Sequence, residues 1–534
     1  MKLNSESLKN KDQWQEAGIN IPAFDREAMI SKTKNTPVWV HFGAGNIFRA
    51  FPAILQQQLL NAGHATRGIV VAEGYDSEII EKVFTPYDNL SMVVTLKANG
   101  TIDKTIMGSI AESLRMDDAA EFKRLKEIFE SPSLQIATFT ITEKGYSLTG
   151  RDGSFIPAVA EDMKTGPNNV SSYIGRVVAS LYARYKAGKR PITMLSMDNC
   201  SHNGDKLAAA VQTFAAKWVE NGVAEAGFKD YVNDRKFVSF PWSMIDKITP
   251  RPDDSVKDML KSVGFEDTEG FVTTKNTYIA PFVNAEEAQY LVIEDDFPGG
   301  RPQLEKAGVL FTTRETVDKV EKMKVCTCLN PLHTALAVFG CLLGYTKISD
   351  EMKDAELVKL VEVVGYKEGL PVVVDPKIIS PKSFIDEVLK VRVPNPFMPD
   401  TPQRIATDTS QKLSIRFGET IKAYQQSSSL NVADLKLIPL VLAGWLRYLT
   451  GIDDKGAAFE VSPDPLYESL KAQLKGLTLG GNVDKAVLKP ILSDKTIFGV
   501  NLYEAGLGER VEGYLEELIK ETGAVRKTLQ KYLA

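Results

Sequence analysis

A buried strand that runs directly into a glycine turn and then into a helix places the tightest constraint on the fold of this chain. Residues 38–42 are predicted to form the strand, Gly43-Ala44-Gly45 follows at once, and residues 50–60 have helical periodicity. This order is typical of the first unit of a dinucleotide-binding fold, in which glycines let the backbone approach a pyrophosphate and the helix N-terminus offers unpaired N–H groups. Phe48 stands where the usual fingerprint has its third glycine, so the pattern alone also fits an ordinary tight turn.

Polar residues near this turn are candidate cofactor contacts. Arg49 would bring a guanidinium to the turn, where it suits a phosphate or a carboxylate. The next predicted strand, residues 68–72, ends at Glu73, and an acidic side chain there would bind the adenosine ribose hydroxyls and repel a 2′-phosphate. Asp76 is the alternative for this role, and a strand-end charge that only meets solvent is the competing interpretation. The pattern therefore favours NAD over NADP.

Strands and helices alternate in the part of the chain after Asp76. Ligands of open α/β sheets bind outside the carboxyl ends of the strands, which is where Glu143, Asp198 and Asn199 would lie. Two prolines bracket residues 241–250, which predicts an ordered loop there and not a strand of a sheet core. The periodicity predicts strands at 90–96, 105–110, 134–141 and 192–197, and helices at 119–129, 173–187 and 206–220.

A change of pattern divides the chain into two domains. Residues 273–295 are predicted to be rich in strands, and a Pro/Gly cluster at 297–302 comes next. The fold class predicted is α/β, with a Rossmann-like NAD-binding domain over residues 1–298 and a mostly α-helical substrate and catalytic domain over residues 299–534. Helical periodicity in the second domain covers 332–345, 351–364, 382–392, 413–426, 431–449, 464–474 and 509–532.

The candidate for catalysis lies at the start of this helical part. Residues 332–340 are apolar nearly all round, as in a buried helix. Four polar residues lie in or just before this run, namely Glu321, Lys324, Asn330 and His333. Burying them without partners would cost several kcal/mol or shift their pKa values. Because polar groups at the mouth of a buried helix are suited to proton transfer, this cluster is predicted to be catalytic.

Cysteines near the same cluster raise the alternative of a zinc site. Cys326, Cys328, Cys200 and His333 are the possible ligands, but a Cys-x-Cys spacing is not the usual gap of a zinc knuckle and no second pair exists. Buried cysteines are more often small hydrophobic residues, and that interpretation is favoured. No metal is predicted.

The bulk properties exclude several classes of protein. A formal charge of −5 gives no electrostatic reason to expect nucleic acid or an anionic membrane as a partner. No apolar run in the sequence reaches the length of a membrane span, and residues 1–12 lack the apolar core of a signal peptide. Four cysteines in 534 residues do not suggest a disulfide framework. We therefore expect a cytoplasmic protein with a small-molecule partner, as a monomer or a small homo-oligomer.

Several motifs, taken in order, resemble one family, the polyol-specific long-chain dehydrogenases, which include mannitol dehydrogenase and the hexuronate reductases. The resemblance covers roughly residues 38–417 and depends on the ordered set, since no single motif is specific. The motifs are Gly43-Ala44-Gly45-Asn46-Ile47-Phe48-Arg49, Thr142-Glu143-Lys144-Gly145-Tyr146, Ser196-Met197-Asp198-Asn199, the segment 240–250, Ile293-Glu294-Asp295, Gly300-Arg301-Pro302, Glu321-x-x-Lys324, Asn330-x-x-His333, Arg404-Ile405-Ala406 and Ser410-Gln411-Lys412.

The resemblance implies a metal-independent NAD-type dehydrogenase with these residues in defined roles. Lys324 would be the acid/base, and Asn199 and Asn330 would polarise the reacting oxygen. His333 would orient the substrate, and Glu321 would relay protons to solvent. The implied substrate contacts are Arg404, Lys412 and Asp246, and the implied cofactor contacts are Gly43, Gly45, Asn46, Phe48, Arg49, Glu73, Asp76, Glu143 and Asp198.

One spacing departs from the family pattern. The family usually has the asparagine five residues and the histidine eight residues after the lysine, whereas here the intervals are six and nine. In a regular helix the extra residue would turn Asn330 and His333 about 100° further from Lys324. We therefore predict either a π-bulge between 325 and 330 or a break there, with Asn330 as the cap of a new helix. An unbroken regular helix would contradict the predicted site.

The function predicted is NAD-dependent interconversion of a keto sugar acid and its hydroxy form. The segment from Asn395 to Lys412 resembles the hexuronate reductases most closely, which implies D-fructuronate and D-mannonate as the substrate pair. A pair of cations facing the substrate also suits a carboxylate better than a neutral polyol. Tagaturonate reductase and mannitol or polyol 2-dehydrogenase activities are the alternatives within the family. A catalytically silent nucleotide-binding sensor is the alternative from another class.

Overall fold

The computed structural model describes residues 1–251 and 254–534, and the chain forms two compact units. The first unit comprises Met1–Leu96 and Thr101–Asp318, and the second comprises Lys97–Gly100 and Lys319–Ala534. The division at residue 318 comes later than the boundary predicted at residue 298. The first unit extends further because the strand Leu310–Thr312 pairs with Tyr290–Glu294.

A six-stranded parallel sheet organises the first unit. Trp39–Phe42 lies in the middle, and the chain adds strands first on one side of it and then on the other. Such a reversal creates a crevice at the carboxyl ends of the strands, so the predicted Rossmann-like domain is confirmed. The spatial order is Ile110–Arg115, Ile69–Glu73, Trp39–Phe42, Ile136–Phe139, Ile192–Ser196 and Val238–Ser239.

Both faces of this sheet are buried. Val40 and Phe42 pack into one apolar cluster, and Trp39 packs into the other, as the period of two along a strand requires. The helices that belong wholly to the first unit are Lys11–Glu16, Arg26–Asn35, Asn46–Ala50, Pro52–Asn61, Ala119–Glu130, Thr142–Gly145, Pro157–Thr165, Tyr173–Lys186, Asn203–Glu220, Ala226–Asn233 and Asp254–Ser262.

Three predictions for the first unit need correction. The strand predicted at 105–110 is in fact parts of two strands, Ile102–Met107 and Ile110–Arg115. Residues 90–96 form a strand, but Ser91–Leu96 lies in a separate sheet, antiparallel to Ile102–Met107. The prediction of a loop at 241–250 is wrong, because Ser243–Asp246 is a buried strand antiparallel to Tyr290–Glu294. The bracketing prolines lie outside the paired residues and do not interrupt them. The strands outside the parallel sheet are Ile19–Asn20, Ser91–Leu96, Ile102–Met107, Ser243–Asp246, Phe271–Val272, Tyr278–Ile279, Phe282–Glu286, Tyr290–Glu294 and Leu310–Thr312.

The second unit is helical, as predicted. Two of its helices, Asn330–Leu343 (the core helix) and Leu437–Tyr448, are apolar and largely buried. The other α-helices are Ile348–Glu351, Ala355–Glu362, Pro381–Glu387, Pro402–Ile405, Glu419–Gln426, Tyr467–Gln473, Lys485–Leu492, Lys495–Phe498, Gly508–Leu518 and Ala524–Leu533, and Arg314–Met323 enters the unit from the first one. Wider π-helical turns occur at Lys324–Cys328, Val363–Gly369, Val388–Arg392 and Ser414–Gly418.

Two buried glutamates support these apolar helices in different ways. Glu368 accepts hydrogen bonds from the backbone N–H groups at the start of Leu437–Tyr448. Glu351 lies against the core helix at Gly340, where any added Cβ would overlap its carboxyl group. Among the residues described, neither carboxyl oxygen of Glu351 has a hydrogen-bond partner, and burial raises its pKa to about 9.

One helical stretch of the described residues is long and apolar enough to cross a membrane by length and composition. It runs from Arg314 to Leu343 and contains the core helix. Its most apolar window is 78% buried inside the protein, as the core helix of a soluble protein also is, so it is weak evidence for a membrane span.

Candidate active site

The glycine turn, Gly43–Gly45, is built at the end of the central strand. Gly43 has a φ of +102°, and a Cβ at this position would overlap the carbonyl oxygen of Thr140. Only glycine fits both conditions. At Gly45 a Cβ would meet nothing within 4 Å, so open space adjoins the backbone. The helix Asn46–Ala50 begins immediately afterwards. A backbone that is fixed on one side and open on the other suits the close approach of a phosphate.

Glu73 ties the glycine turn to the neighbouring strand. Its Oε2 accepts the N–H of Ala44 at 2.8 Å. Its Oε1 accepts the N–H groups of the next three residues along the chain, at 2.8–3.1 Å. Burial raises the pKa of Glu73, while these backbone N–H groups act in the opposite direction. The competing interpretation, a charge that only meets solvent, is therefore wrong. Asp76 is also buried and accepts a hydrogen bond from the Thr273 hydroxyl at 2.6 Å.

Phe48 and Arg49 support the turn from inside the domain. The Phe48 ring stacks on His41, with 4.1 Å between ring centroids. Arg49 is fully buried and donates to Asn46 Oδ1 at 2.7 Å, to the Ala280 carbonyl at 2.8 Å and to Ser91. The expectation that Arg49 offers its guanidinium at the turn is thus corrected: the side chain holds Asn46 and does not face an open ligand site.

Two further strand ends carry the polar residues expected at the ligand edge. Asp198 is buried and accepts from the N–H groups of Ile141 and Thr142 and from the Tyr146 hydroxyl, at 2.5–3.0 Å. Burial raises the pKa of Asp198. Its carboxylate therefore joins the two loops. Asn199 comes next in the chain and is exposed, and Glu143 is exposed and pairs with Lys206 at 2.8 Å.

Asp246, which the resemblance implies as a substrate contact, lies at the end of the strand Ser243–Asp246. Its side chain is buried. This placement results from the strand that the sequence did not predict.

The lysine turn, Lys324–Cys328, is a π-helical turn at the mouth of the core helix. The N–H of Leu329 donates to the carbonyl oxygen of Lys324 at 3.1 Å, which is the five-residue hydrogen bond of a π-helix. Leu329 then departs from helical geometry, with φ −132° and ψ −63°, and the core helix begins at Asn330. The predicted bulge is confirmed. The alternative, Asn330 as the cap, is wrong, because Leu329 occupies that position.

This wider turn absorbs the extra residue between Lys324 and Asn330. Lys324 is buried, with 5% of its surface exposed, while Glu321, Asn330 and His333 are half-buried. Because one residue is taken up by the bulge, Asn330 and His333 keep approximately the faces that intervals of five and eight would give them. The four polar residues thus lie on one short segment at the start of the core helix.

The predicted substrate contacts of the second unit differ in their surroundings. Arg404 is 65% exposed and forms an ion pair with Asp400. Lys412 is half-buried and donates to the Thr407 carbonyl at 2.5 Å. Burial lowers the pKa of Lys412, and the charge of Arg416 contributes in the same direction.

Arg416 was missed by the sequence analysis. It lies in the π-helical turn Ser414–Gly418 and donates to the hydroxyl of Thr334, which in turn donates to the carbonyl oxygen of Asn330 at 3.0 Å. Burial lowers the pKa of Arg416 to about 10. The signal in the sequence was its spacing of four residues from Lys412, which places both cations on one helical face.

The cysteines behave as small apolar residues. Cys328 is buried, and burial raises the pKa of its thiol to about 12. Within residues 1–251 and 254–534, no group of three His, Cys, Asp or Glu side chains is placed to hold a metal ion.

Sequence comparisons with known families agree with this architecture. The Rossmann domain of mannitol dehydrogenase matches residues 38–306, and the C-terminal domain of mannitol dehydrogenase matches residues 316–519. The chain belongs to the mannitol dehydrogenase family. It is therefore an oxidoreductase that acts on CH–OH groups of sugar acids or polyols.

Individual members of the mannitol dehydrogenase family resemble the chain over most of its length. A D-mannonate oxidoreductase of Thermotoga maritima is 54% identical, with 99% of both chains covered. A polyol:NADP oxidoreductase of Gluconobacter oxydans is 29% identical, covering 88% of this chain and 90% of its own. Of solved structures, a substrate-free D-sorbitol dehydrogenase has a TM-score of 0.79 at 27% identity, with 95% and 97% of the chains covered. Mannitol 2-dehydrogenase of Pseudomonas fluorescens, in a ternary complex with NAD and D-mannitol, has a TM-score of 0.68 at 26% identity, with 100% and 99% covered.

Proposed function

We propose that the protein interconverts D-fructuronate and D-mannonate with NAD. The observation that carries this proposal is the 54% identity, over 99% of both chains, to a D-mannonate oxidoreductase. The resemblance of residues 395–412 to hexuronate reductases supports the same substrate class. Mannitol 2-dehydrogenase activity is the second candidate, because a solved neighbour holds NAD and D-mannitol.

The first unit has the features that a bound NAD would need. The fixed backbone at Gly43, the open space beside Gly45 and the start of the helix at Asn46 suit the pyrophosphate. The buried carboxylate of Glu73 suits the ribose hydroxyls and disfavours a 2′-phosphate. Bound NAD⁺ would accept a hydride when the hydroxy acid is oxidised, and bound NADH would donate one when the keto acid is reduced.

Other predicted cofactor residues take supporting roles in this proposal. Phe48 and Arg49 hold the first helix, Asp76 holds the loop after Glu73, and Asp198 joins two loops at the ligand edge. Glu143 remains a candidate contact at the exposed end of its strand.

The proton chemistry is assigned to the lysine turn. Lys324 would take the proton from the substrate hydroxyl during oxidation and return it during reduction. The amides of Asn330 and Asn199 would donate to the same oxygen, and each such donor is worth about 2–4 kcal/mol in comparable sites. His333 would orient the substrate, and the half-buried Glu321 would pass the proton to solvent. No metal is needed for these steps.

The substrate carboxylate requires cations, for which Lys412 and Arg404 are the predicted sources. Asp246 would accept a hydrogen bond from a substrate hydroxyl. We propose a cytoplasmic location, since hexuronates are soluble metabolites.

A panel of NADH-linked reductions tests the proposal. D-fructuronate, D-tagaturonate and D-fructose are compared at equal enzyme concentration, with NADH and NADPH in parallel. We expect the highest kcat/KM for D-fructuronate with NADH. Preference for D-tagaturonate or D-fructose would select one of the family alternatives. NADH binding without turnover of any substrate would instead identify a silent nucleotide sensor.

A further inference from the structure

Arg416 is a cation placed against the first turn of the core helix. Its π-helical turn, Ser414–Gly418, packs against both the lysine turn and the core helix. The guanidinium donates to Thr334, and Thr334 donates to the carbonyl oxygen of Asn330. The hydroxyl of Thr334 thus links Arg416 to Asn330, whose amide is proposed to donate to the reacting oxygen of the substrate.

The guanidinium of Arg416 is incompletely satisfied. Among the residues that the structure describes, its only hydrogen-bond partner is Thr334, and no carboxylate pairs with it. Burial lowers the pKa of Arg416 to about 10. A guanidinium has five N–H donors. Arg416 is half-buried, and its remaining donors are not sealed inside the protein, so a ligand can reach them.

Other buried or half-buried arginines of the chain show what a purely structural role requires. Arg184 donates to five backbone carbonyl oxygens, and Arg447 donates to three carbonyl oxygens and a hydroxyl. Arg526 pairs with two carboxylates. Arg416 has neither arrangement, so most of its donors are available to a ligand beside the first turn of the core helix.

The turn that carries Arg416 is rigidly held. A Cβ at Gly418 would overlap the carbonyl oxygen of Phe498, and a Cβ at Gly499 would come within 3.0 Å of the carbonyl oxygen of Ser414. The backbone therefore packs directly on its neighbour, without side chains between them. Such packing fixes the backbone that carries Arg416, and the hydrogen bond to Thr334 holds its guanidinium, so less conformational entropy is lost when a ligand binds.

A second cation lies close by. Lys412 precedes Arg416 by one helical turn, and its carbonyl oxygen accepts the N–H of Arg416 at 2.9 Å. Burial, and then the charge of Arg416, lower the pKa of Lys412. Two like charges at this distance repel each other, and an anion that contacts both removes the repulsion. A carboxylate can do this and can also accept two parallel N–H bonds from a guanidinium, whereas a neutral polyol chain cannot.

We propose that Arg416 binds the carboxylate of the sugar acid and so sets the preference for an acid over a neutral ketose. This inference rests on the proposed function and names the residue that recognises its substrate class. Arg404, which is mostly exposed and already paired with Asp400, has the lesser part in this assignment.

The test compares two substrates that differ in the carboxylate. Arg416→Gln, Arg416→Lys and the control Lys422→Gln are assayed for reduction of D-fructuronate and D-fructose. Lys422 is a suitable control because it lies in the next helix and pairs with Glu419. We expect Arg416→Gln to lower kcat/KM for D-fructuronate by about 30- to 1,000-fold, mainly through KM, because a buried charge pair is lost. The value for D-fructose should change by less than about threefold, and Arg416→Lys should recover part of the loss.

Two further measurements keep the outcomes distinct. Where turnover of D-fructose is below detection, the ratio of the inhibition constants for D-mannonate and D-mannitol measures the same preference for an acid over a neutral ligand. Thr334→Val removes the hydroxyl and leaves the guanidinium, so it should not reproduce the loss of preference. If Arg416→Gln does not fold, Arg416→Lys must still lose preference for the acid by about tenfold or more, because it lacks the planar fork.

Several results would overturn the assignment. Equal losses for both substrates, or a Thr334→Val variant that matches Arg416→Gln, would show that Arg416 only positions Asn330. Unchanged kcat/KM for D-fructuronate would show no role. A wild-type enzyme that prefers D-fructose would contradict the proposed function itself, and this result is obtained before any variant is made.

Discussion

The glycine turn and the lysine turn are stabilised in opposite ways. At the glycine turn, backbone packs on backbone, and one buried carboxylate, Glu73, accepts four N–H groups. At the lysine turn the helix widens and a lysine is buried. The core helix that follows packs, at Gly340 near its other end, on the carboxyl group of Glu351, which has no hydrogen-bond partner among the described residues. A satisfied network rigidifies its surroundings, whereas an unsatisfied group is a standing cost. The glycine turn is therefore built for rigidity, whereas the core helix behind the lysine turn carries an unsatisfied carboxyl group at a cost in stability.

The largest effect is expected at the lysine turn. Lys324→Ala should lower kcat for D-fructuronate reduction by about 10²–10⁴-fold, because the acid/base is lost. The dissociation constant for NADH, measured by fluorescence, should remain near the wild-type value, since the glycine turn is untouched. Lys422→Ala serves as the control for removing a lysine of the same unit. Near wild-type rates would show that Lys324 is not the acid/base. Loss of NADH binding would show that the substitution at the lysine turn also affects cofactor binding.

A paired substitution probes the glycine turn. Gly43→Ala places a Cβ at positive φ, which costs about 1–2 kcal/mol, and adds an overlap with Thr140. Both the melting temperature and the affinity for NADH should fall. The Cβ added by Gly45→Ala meets no neighbour, so the free energy of unfolding should stay within about 0.5 kcal/mol of wild type. NADH binding should still weaken. Equal effects of the two substitutions would contradict the geometry described for this turn.

The melting temperature should respond in opposite directions to amide substitution of the two buried glutamates Glu351 and Glu73. Burial first, and then the charge of Asp354, raises the pKa of Glu351 from 4.5 to about 9. The folded protein thus retains a proton that the unfolded chain releases between these values, so stability falls as pH rises through that window, by at most about 1.4 kcal/mol per pH unit. Glu351→Gln should raise the melting temperature, and more at pH 8.5 than at pH 5.5, by differential scanning fluorimetry.

Glu73→Gln provides the contrast. An amide can accept fewer of the four N–H groups than a carboxylate, so the melting temperature should fall at both pH values. A stabilising Glu73→Gln, or a pH-independent effect of Glu351→Gln, would remove the difference between the glycine turn and the core helix.

The smallest effect is expected from removing the surplus residue of the lysine turn. Deletion of Cys326, which is only half-buried, should convert the π-turn into regular helix and leave both flanking helices in place. We expect a folded protein whose kcat/KM stays within about tenfold of wild type, because Asn330 and His333 then stand at the usual intervals. Loss of more than about 100-fold would show that the wide turn itself orients Lys324.

Local patterns were sufficient to predict the strand and the glycine turn, and the bulge was predicted from intervals that differ from the family pattern. Each depends on neighbouring residues: the turn on its glycines, and the bulge on intervals counted along one helix. Contacts distant in sequence were not predictable in this way. Arg49 was assigned to the turn, but its partners Ser91 and Ala280 lie 42 and 231 residues away. Arg416 was missed because Thr334 is 82 residues from it. The strand Ser243–Asp246 was missed because its pairing partner, Tyr290–Glu294, comes much later in the chain.

The widened turn at Lys324–Cys328 also bears on how chain length can vary in such enzymes. A helix that stores one additional peptide unit in a single broad loop of backbone can gain or lose that unit during evolution without displacing the helix that begins at Asn330. Insertions of this kind leave the fold unchanged, but a motif search that requires fixed intervals between functional residues does not detect the site.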